Sequence, residues 1–314
     1  MNIPRSPSGA QSQQSQQWVL GAPSKSTVDR SVPDGAEAAD LALYSMMLGD
    51  DALVLAHRLE QWGMRAGLAE AAALGGIALE LIAQARILLA RAGELEDAGR
   101  DEDQLTYFRD VAEFRNVRLA EIDCGPGQGG DFKTTVARLL LLSTWRLAVF
   151  ERLAGTRDPV LATLAARSIP VLTEHRDHAA QWVIKFGDAA SSAERMAAEI
   201  ARIWALTAEL FVPHPVEARL SDAGCAVDPA QVRGDVRRGL DEVFSVARLA
   251  GPGEFGEFRR PGGRDGAHTV GMAFLLAELQ HLVRGTVGVA GDPGVPRRPD
   301  PGESGSAPPN FSPD

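Results

Sequence analysis

The chain has 314 residues, of which 45% are hydrophobic, 24% charged and only 6% aromatic. That is long enough for one or two domains with a substantial core, and it excludes a collagenous, disulfide-framed or wholly disordered polypeptide. The 32 basic and 42 acidic residues leave a net charge of -10 and a pI near 5.2, which argues against a general nucleic-acid or anionic-membrane binder while leaving room for a local basic patch.

Cys124 and Cys225 are too few for a framework, lack metal-ligand spacing and fit a reducing compartment. The N-terminus has no apolar run of the signal-peptide kind, and the apolar run Leu139 to Leu142 is far too short to span a bilayer. A cytoplasmic protein is expected.

Residues 1–36 are rich in Ser, Gln and Pro, and residues 291–314 in Pro, Gly and Ser. Neither end carries enough apolar side chains to offset the entropy of ordering, so both are expected to be disordered tails around a domain at 37–290. In that domain Ala38 to Trp62 and Leu68 to Ala92 carry apolar residues at helical spacing. Asp131 can cap a helix that runs to Ala154, with Gly155 as its stop. Asp158-Pro159 supplies an N-cap and first-turn proline for a long helix to Gly187, which Pro170 should kink. Ser191 and Glu194 have capping-box spacing ahead of a helix to about Phe211. Asp228-Pro229 starts another helix, ending near Leu249. After the glycine-rich stretch Gly251 to Gly266, a last helix covers Thr269 to Arg284. Strand patterns are scarce, the best being short pieces around Phe255 to Phe258. The fold class is all-α, a helical bundle.

Bundles of the ferritin-like type hold a di-iron site with a Glu from each of two helices and Glu-x-x-His from each of two others. Polar residues do interrupt the apolar stripes near mid-helix: Asp50 and His57, Glu80 and Gln84, Ser143, then Glu174, His175 and His178. The ligand count nevertheless fails. Glu80 is followed three residues later by Ala83, Ser143 has no carboxylate on its face, and Glu174 is one position off the required spacing. Glu278 and His281 form one true pair, a spacing that arises readily by chance. The expectation is a degenerate polar layer of Asp50, Glu80, Gln84, Arg86, Ser143, Glu174, His175 and His178, in which Arg86 pairs with Asp50, Glu80 and Glu174. The competing reading is an autonomous di-iron oxygenase or metal-binding protein using Asp50, Glu80, Glu174, His175 and His178. A third is a general helical interaction protein. His57 is read as a partly buried core or interface residue and His214 as a loop residue.

There is no P-loop, no strand-bound G-x-G-x-x-G and no G-x-S-x-G elbow. The glycines of Gly125 to Gly130 read as a turn. Arg259, Arg260, Arg264 and His268 precede a helix N-terminus, a geometry suited to phosphate or a partner's carboxylate, against the alternative of a solvated basic loop.

Several stretches, in order, resemble one family. They are Leu48-Gly49-Asp50-Asp51-Ala52-Leu53-Val54-Leu55 with Arg58-Leu59 and Gln61-Trp62, then Gln84-Ala85-Arg86, Asp101-Glu102-Asp103-Gln104-Leu105 and Arg109-Asp110. Gly130-Asp131-Phe132, Arg157-Asp158-Pro159, Trp204, Thr207 to Phe211 and Ala226-Val227-Asp228-Pro229 follow. Gly262-Gly263, Gly266, His268-Thr269, Leu276-Ala277-Glu278 and Gln280 complete the set, which covers the core from about 39 to 287. The chain thereby resembles the PaaC family, the non-catalytic C subunits of the multicomponent phenylacetyl-coenzyme A epoxidase (1,2-phenylacetyl-CoA monooxygenase). Leu139 to Leu142 departs from the pattern, where a more polar segment containing Arg and Gln is expected.

The resemblance implies a ferritin-like fold without its iron site, hence no catalytic, cofactor or metal residue in this chain. It implies a catalytic A subunit as direct partner, carrying a di-iron centre that epoxidises the ring with O2. It also implies a small B subunit and a reductase E subunit that brings electrons from NADPH through FAD and an iron–sulfur cluster. Arg259, Arg260, Arg264 and His268 are then candidate contacts to a partner or to the phosphates of phenylacetyl-CoA.

Overall fold

The computed structural model describes residues 28–63, 65–125 and 131–291. Four long helices carry the fold: α1 (Ala38–Glu60), α2 (Leu68–Leu95), α5 (Phe132–Leu153) and α6 (Pro159–Gly187). Short loops make two antiparallel hairpins, α1/α2 and α5/α6. Between them runs a long crossover containing α3 (Glu102–Tyr107) and α4 (Arg118–Glu121), the connectivity of a ferritin-like bundle. Then follow α7 (Ala190–Trp204), α8 (Pro215–Asp222), α9 (Arg233–Val246) and α10 (Val270–Gly291), and no strand occurs among the described residues.

The caps explain the main boundaries. Asp131 accepts the Lys133 N–H at the start of α5, and Asp158 accepts those of Val160 and Leu161 at the start of α6. Helix α6 continues through Pro170. Helix α5 is buried from Thr134 to Phe150 because α4, α6, α7 and α9 pack around it. A helix enclosed on every side can carry apolar residues around its whole circumference, which accounts for Leu139 to Leu142, between the buried Arg138 and Arg146. The α1 and α2 backbones approach closely at Gly49, where a Cβ would meet Leu89 at 3.1 Å.

Several expectations are corrected. Helix α7 begins at Ala190 with no side-chain cap, since only Asp188 and Ala189 separate it from α6 and Ser191 falls inside its first turn. Its last expected turns, Ala205–Phe211, are a 3-10 helix, and Pro229–Val232 is a 3-10 turn ahead of α9. Helix α10 runs on to Gly291. Phe255 to Phe258 forms no strand, and Phe255 stacks on Trp204 with centroids 4.9 Å apart. Residues 28–36 are tied to the bundle: Arg30 pairs with Glu94, Arg91 donates to the Arg30 carbonyl at 2.8 Å, and Arg157 donates to the Asp34 carbonyl at 3.0 Å. The remainder of the two expected tails, and Pro126 to Gly130 of the glycine-rich turn, lie outside the described residues.

Candidate functional site

The centre of α1 carries two consecutive acids, Asp50 and Asp51, both buried. Successive side chains on a helix diverge by about 100°, so the two reach different loops. Asp50 accepts both ends of the Arg109 guanidinium, at 2.5 and 3.0 Å, and the Arg115 N–H at 2.8 Å. Asp51 accepts Arg264 at 2.7 and 3.0 Å and the Val117 N–H at 2.8 Å. Arg264 also donates to the carbonyls of Met47 and Arg115. Burial opposes its charge, yet Asp51 and Glu217 together hold its pKa above the ordinary arginine value. The segment from 109 to 117 and the turn at 263–265 are thus stitched onto α1. Gly263 completes the seam: its N–H donates to Glu209 at 2.6 Å, and a Cβ there would collide with the Asn116 carbonyl.

A second buried group lies beside it. His268 faces Glu121 through Nδ1 at 2.6 Å and the Phe114 carbonyl through Nε2 at 3.0 Å. Glu121 also accepts Asn116 Nδ2 and the Thr269 N–H. A carbonyl can only accept, so both ring nitrogens are served best by an imidazolium. Burial pulls the His268 pKa down, but the hydrogen bond and charge of Glu121 and the Phe114 carbonyl outweigh it, and the net shift is upward. Arg58 donates to the carbonyls of Glu121 and Gly271, which fixes the start of α10. Arg138, wholly buried, donates once, to the Ile122 carbonyl at 2.8 Å; its Nε and Nη2 have no hydrogen-bond partner among the described residues. Burial lowers its pKa.

The expected polar layer divides. Asp50 belongs to the seam just described. Gln84 is buried and accepts Arg146, which also donates to the Leu48 carbonyl and whose pKa burial pulls down to about 10. Ser143 bonds back to Leu139 on its own helix. Arg86 is corrected most: 70% of its side chain is exposed, it reaches Glu102 at 3.5 Å, and it touches none of Asp50, Glu80 and Glu174. Arg109, not Arg86, neutralises Asp50. Glu80, Glu174, His175 and His178 line an open surface pocket of about 310 Å³ between α2 and α6. There His175 Nε2 lies 2.6 Å from Glu80 Oε2, and burial followed by the neighbouring His175 lowers the His178 pKa. Among the described residues no three or more His, Cys, Asp or Glu side chains are placed to share a metal ion. Glu278 faces His57 at 3.5 Å and accepts Gln61 at 3.0 Å, so its link is to α1. His214 caps α8 by accepting the Val216 N–H.

The basic run also divides. Arg264 and His268 have buried side chains committed to Asp51 and Glu121, which corrects their reading as contacts for a partner or a phosphate. Arg260 pairs with Asp265 at 2.5 Å and donates to the Pro213 carbonyl, while Arg259 is exposed.

What remains uncovered is apolar. Residues Gly76, Leu79, Ala83, Ile87, Ala90 and Glu94 recur at three- and four-residue steps along one stripe of α2. Gly76, Leu79, Ala83 and Glu94 are exposed, Leu79 at 65%, and Ile87 and Ala90 are half-buried. An 18-residue window of this helix has a mean hydropathy of 1.6 but is only 44% buried. By length and composition alone α2 is apolar enough to cross a membrane, so the short run in α5 is not the relevant test. A second exposed apolar patch, on α10, holds Val270 and Phe274.

Sequence reasoning passed over Arg109, Arg58, Arg138, Glu121 and Arg146 as chemistry. The usable signal was Asp50-Asp51 inside an apolar helical run, since a buried acid needs a cation. The sequence profile described as "Phenylacetic acid catabolic protein" matches residues 26–290. The chain is also 37% identical over 246 residues to the C subunit of the 1,2-phenylacetyl-CoA epoxidase of Escherichia coli (strain K12), covering 78% of this chain and 96% of that protein.

Proposed function

This chain belongs to the phenylacetic acid catabolic protein family, and from that premise we propose that it is the non-catalytic subunit of a phenylacetyl-CoA 1,2-epoxidase, pairing with and stabilising the subunit that carries the di-iron centre. The observation that carries this reading is the outer stripe of α2. A helix this apolar, more than half uncovered along its most apolar window, is what a subunit interface requires and what an isolated soluble bundle avoids.

The interior supports the same reading. The chain's residues do not fit a two-metal centre of their own. Asp50 and Asp51 each accept both terminal nitrogens of an arginine and one backbone N–H, and at the pocket between α2 and α6 the buried His175 is already paired with the half-exposed Glu80. Carboxylates committed in this way fasten loops and are neutralised by their own arginines rather than offered to a ligand set. In this reading the chain's part is mechanical: its ionic seams keep α1 and α2 straight and the α2 stripe in register, so that the partner's helices are held in one geometry. The complex works in the cytoplasm, with a small B subunit and a reductase that uses NADPH, FAD and an iron–sulfur cluster. Phenylacetyl-CoA is handled by the catalytic partner, near the shared interface.

The test is metal content and co-purification of this chain, alone and co-expressed with a catalytic A subunit. Iron found only in a stable co-purifying complex is the expected result. Stoichiometric iron in this chain alone, or failure of the two chains to associate, overturns the proposal.

A further inference from the structure

The pocket between α2 and α6 opens on the uncovered face of α2. Gly76 belongs both to its wall and to the apolar stripe, and Glu80 directly follows Leu79. Its volume is about 310 Å³, and Ala73, Gly76 and Ile77 form an apolar wall. A Cβ added at Gly76 would meet nothing within 4 Å, so the wall is open there.

The polar side of the pocket offers acceptors. Glu174 is exposed, and Glu80 presents a carboxylate with 45% of its side chain exposed, although one of its oxygens takes His175 Nε2. His178 Nε2 is buried and has no hydrogen-bond partner among the described residues. Burial and the neighbouring His175 favour the neutral ring, and with its proton on Nδ1 that ring presents a lone pair at Nε2. The charge of Glu70 also reaches this histidine, while Arg176, beside it on α6, is committed to Asp177. The pocket is therefore negative and short of donors.

Such a site selects a cation rich in donors. A guanidinium carries its N–H groups in a planar fork, is more weakly hydrated than an ammonium, and rests its stem on apolar surface. Arginine is also enriched among the residues that anchor interfaces.

We propose that this pocket receives an arginine side chain of the catalytic subunit, its guanidinium bonded to Glu174, Glu80 and His178 and its stem lying along Ala73 and Gly76. The proposal rests on the assignment of the α2 face to that subunit, and it adds the point at which the partner is anchored. The apolar stripe supplies contact area, whereas the pocket sets the register, because one charged side chain fits one position along the helix.

Two measurements on the full chain test this. The chain has six histidines, few enough for ring-labelled histidine signals to be followed one by one in NMR spectra. N-acetyl-arginine amide at about 10 mM should shift the signals of His175 and His178, and N-acetyl-citrulline amide, its uncharged analogue, should not. Gly76→Leu fills the open wall and should abolish the shifts. No shift, equal shifts from the two probes, or shifts that survive Gly76→Leu overturn the proposal. Separately, Glu174→Gln should raise the Kd for the catalytic subunit about tenfold and flatten its salt dependence. Glu174 is exposed, so an unchanged melting transition of the free variant checks that its fold is intact. An unchanged Kd overturns the pocket as an anchor. A catalytic subunit that does not bind the parent chain at all overturns the functional reading and the source of the arginine, and the histidine shifts alone then decide whether the pocket takes a guanidinium.

Discussion

The inner face of α1 and the outer face of α2 invert the usual distribution of side chains. Inside, where apolar residues are expected, Asp50 and Asp51 hold Arg109 and Arg264 with almost no exposure. Outside, where charge is expected, α2 shows Gly76, Leu79 and Ala83. Buried ion pairs are weak sources of stability but demanding ones of geometry, since each member must meet its partner or bear its desolvation alone. A bare apolar stripe adds nothing to the isolated chain and gains its value only on association. The first region makes the bundle adopt one shape, and the second is what that shape presents.

Breaking the inner region should have the largest effect. Asp51→Ala leaves Arg264 buried beside the carbonyls of Met47 and Arg115 without its carboxylate, and should cost about 3–5 kcal/mol. The pair replacement Asp51→Leu with Arg264→Met should recover much of that loss in urea denaturation. A double variant no better than Asp51→Ala would mean that the carbonyl contacts of Arg264, not its charge pairing, hold the turn at 263–265.

The His268–Glu121 pair is next, and its pH dependence has a definite sign. The folded pKa of His268 lies above its unfolded value near 6.5. Its stabilising contribution is therefore full below about pH 6.5 and is lost as pH rises through the folded value. His268→Gln should cost about 1–3 kcal/mol at about pH 6 and flatten the fall in stability between about pH 6 and pH 9. Asp50 contributes to the upward shift, so Asp50→Asn should reduce the same slope. A slope of opposite sign in the parent chain would show that His268 is neutral when folded.

Much of this architecture was legible in the sequence, and the gaps have physical causes. Helices α1, α2, α5 and α6 announced themselves through long periodicity and through the side-chain caps Asp131 and Asp158. The short helices α3, α4 and α8 did not, because six, four and eight residues give too little period to read. Which arginine meets which acid was not legible. Arg86 was the cation read into the polar layer, yet Arg109 comes from the crossover, and only the fold brings it to Asp50. The uncovered apolar face of α2 escaped because a buried stripe and an uncovered one have the same composition.

Arg138 sharpens the contrast among buried arginines. Unlike Arg264 and Arg109 it has, among the described residues, no carboxylate in an ion pair, and its Nε and Nη2 are unmatched there. Arg138→Met removes that desolvation while giving up one bond to the Ile122 carbonyl. Unchanged stability or a gain of about 1 kcal/mol is expected in thermal or urea unfolding. A loss above about 2 kcal/mol would place Arg138 with Arg264, as a cation that holds a partner.

The smallest effect on the isolated chain should come from the outer face. Leu79 is 65% exposed, so Leu79→Glu should change the stability of the free subunit by no more than about 0.5 kcal/mol. The same substitution places a charge between Gly76 and Ala83 of the apolar stripe, one residue from Glu80 and four from Ala83. Burying that charge against an apolar partner surface costs several kcal/mol unless the partner supplies a cation. Co-purification with the catalytic subunit should therefore be lost while the melting transition of the free chain stays in place. A complex that survives Leu79→Glu would move the interface to the Val270 and Phe274 patch of α10, where Phe274→Glu should then do what Leu79→Glu did not.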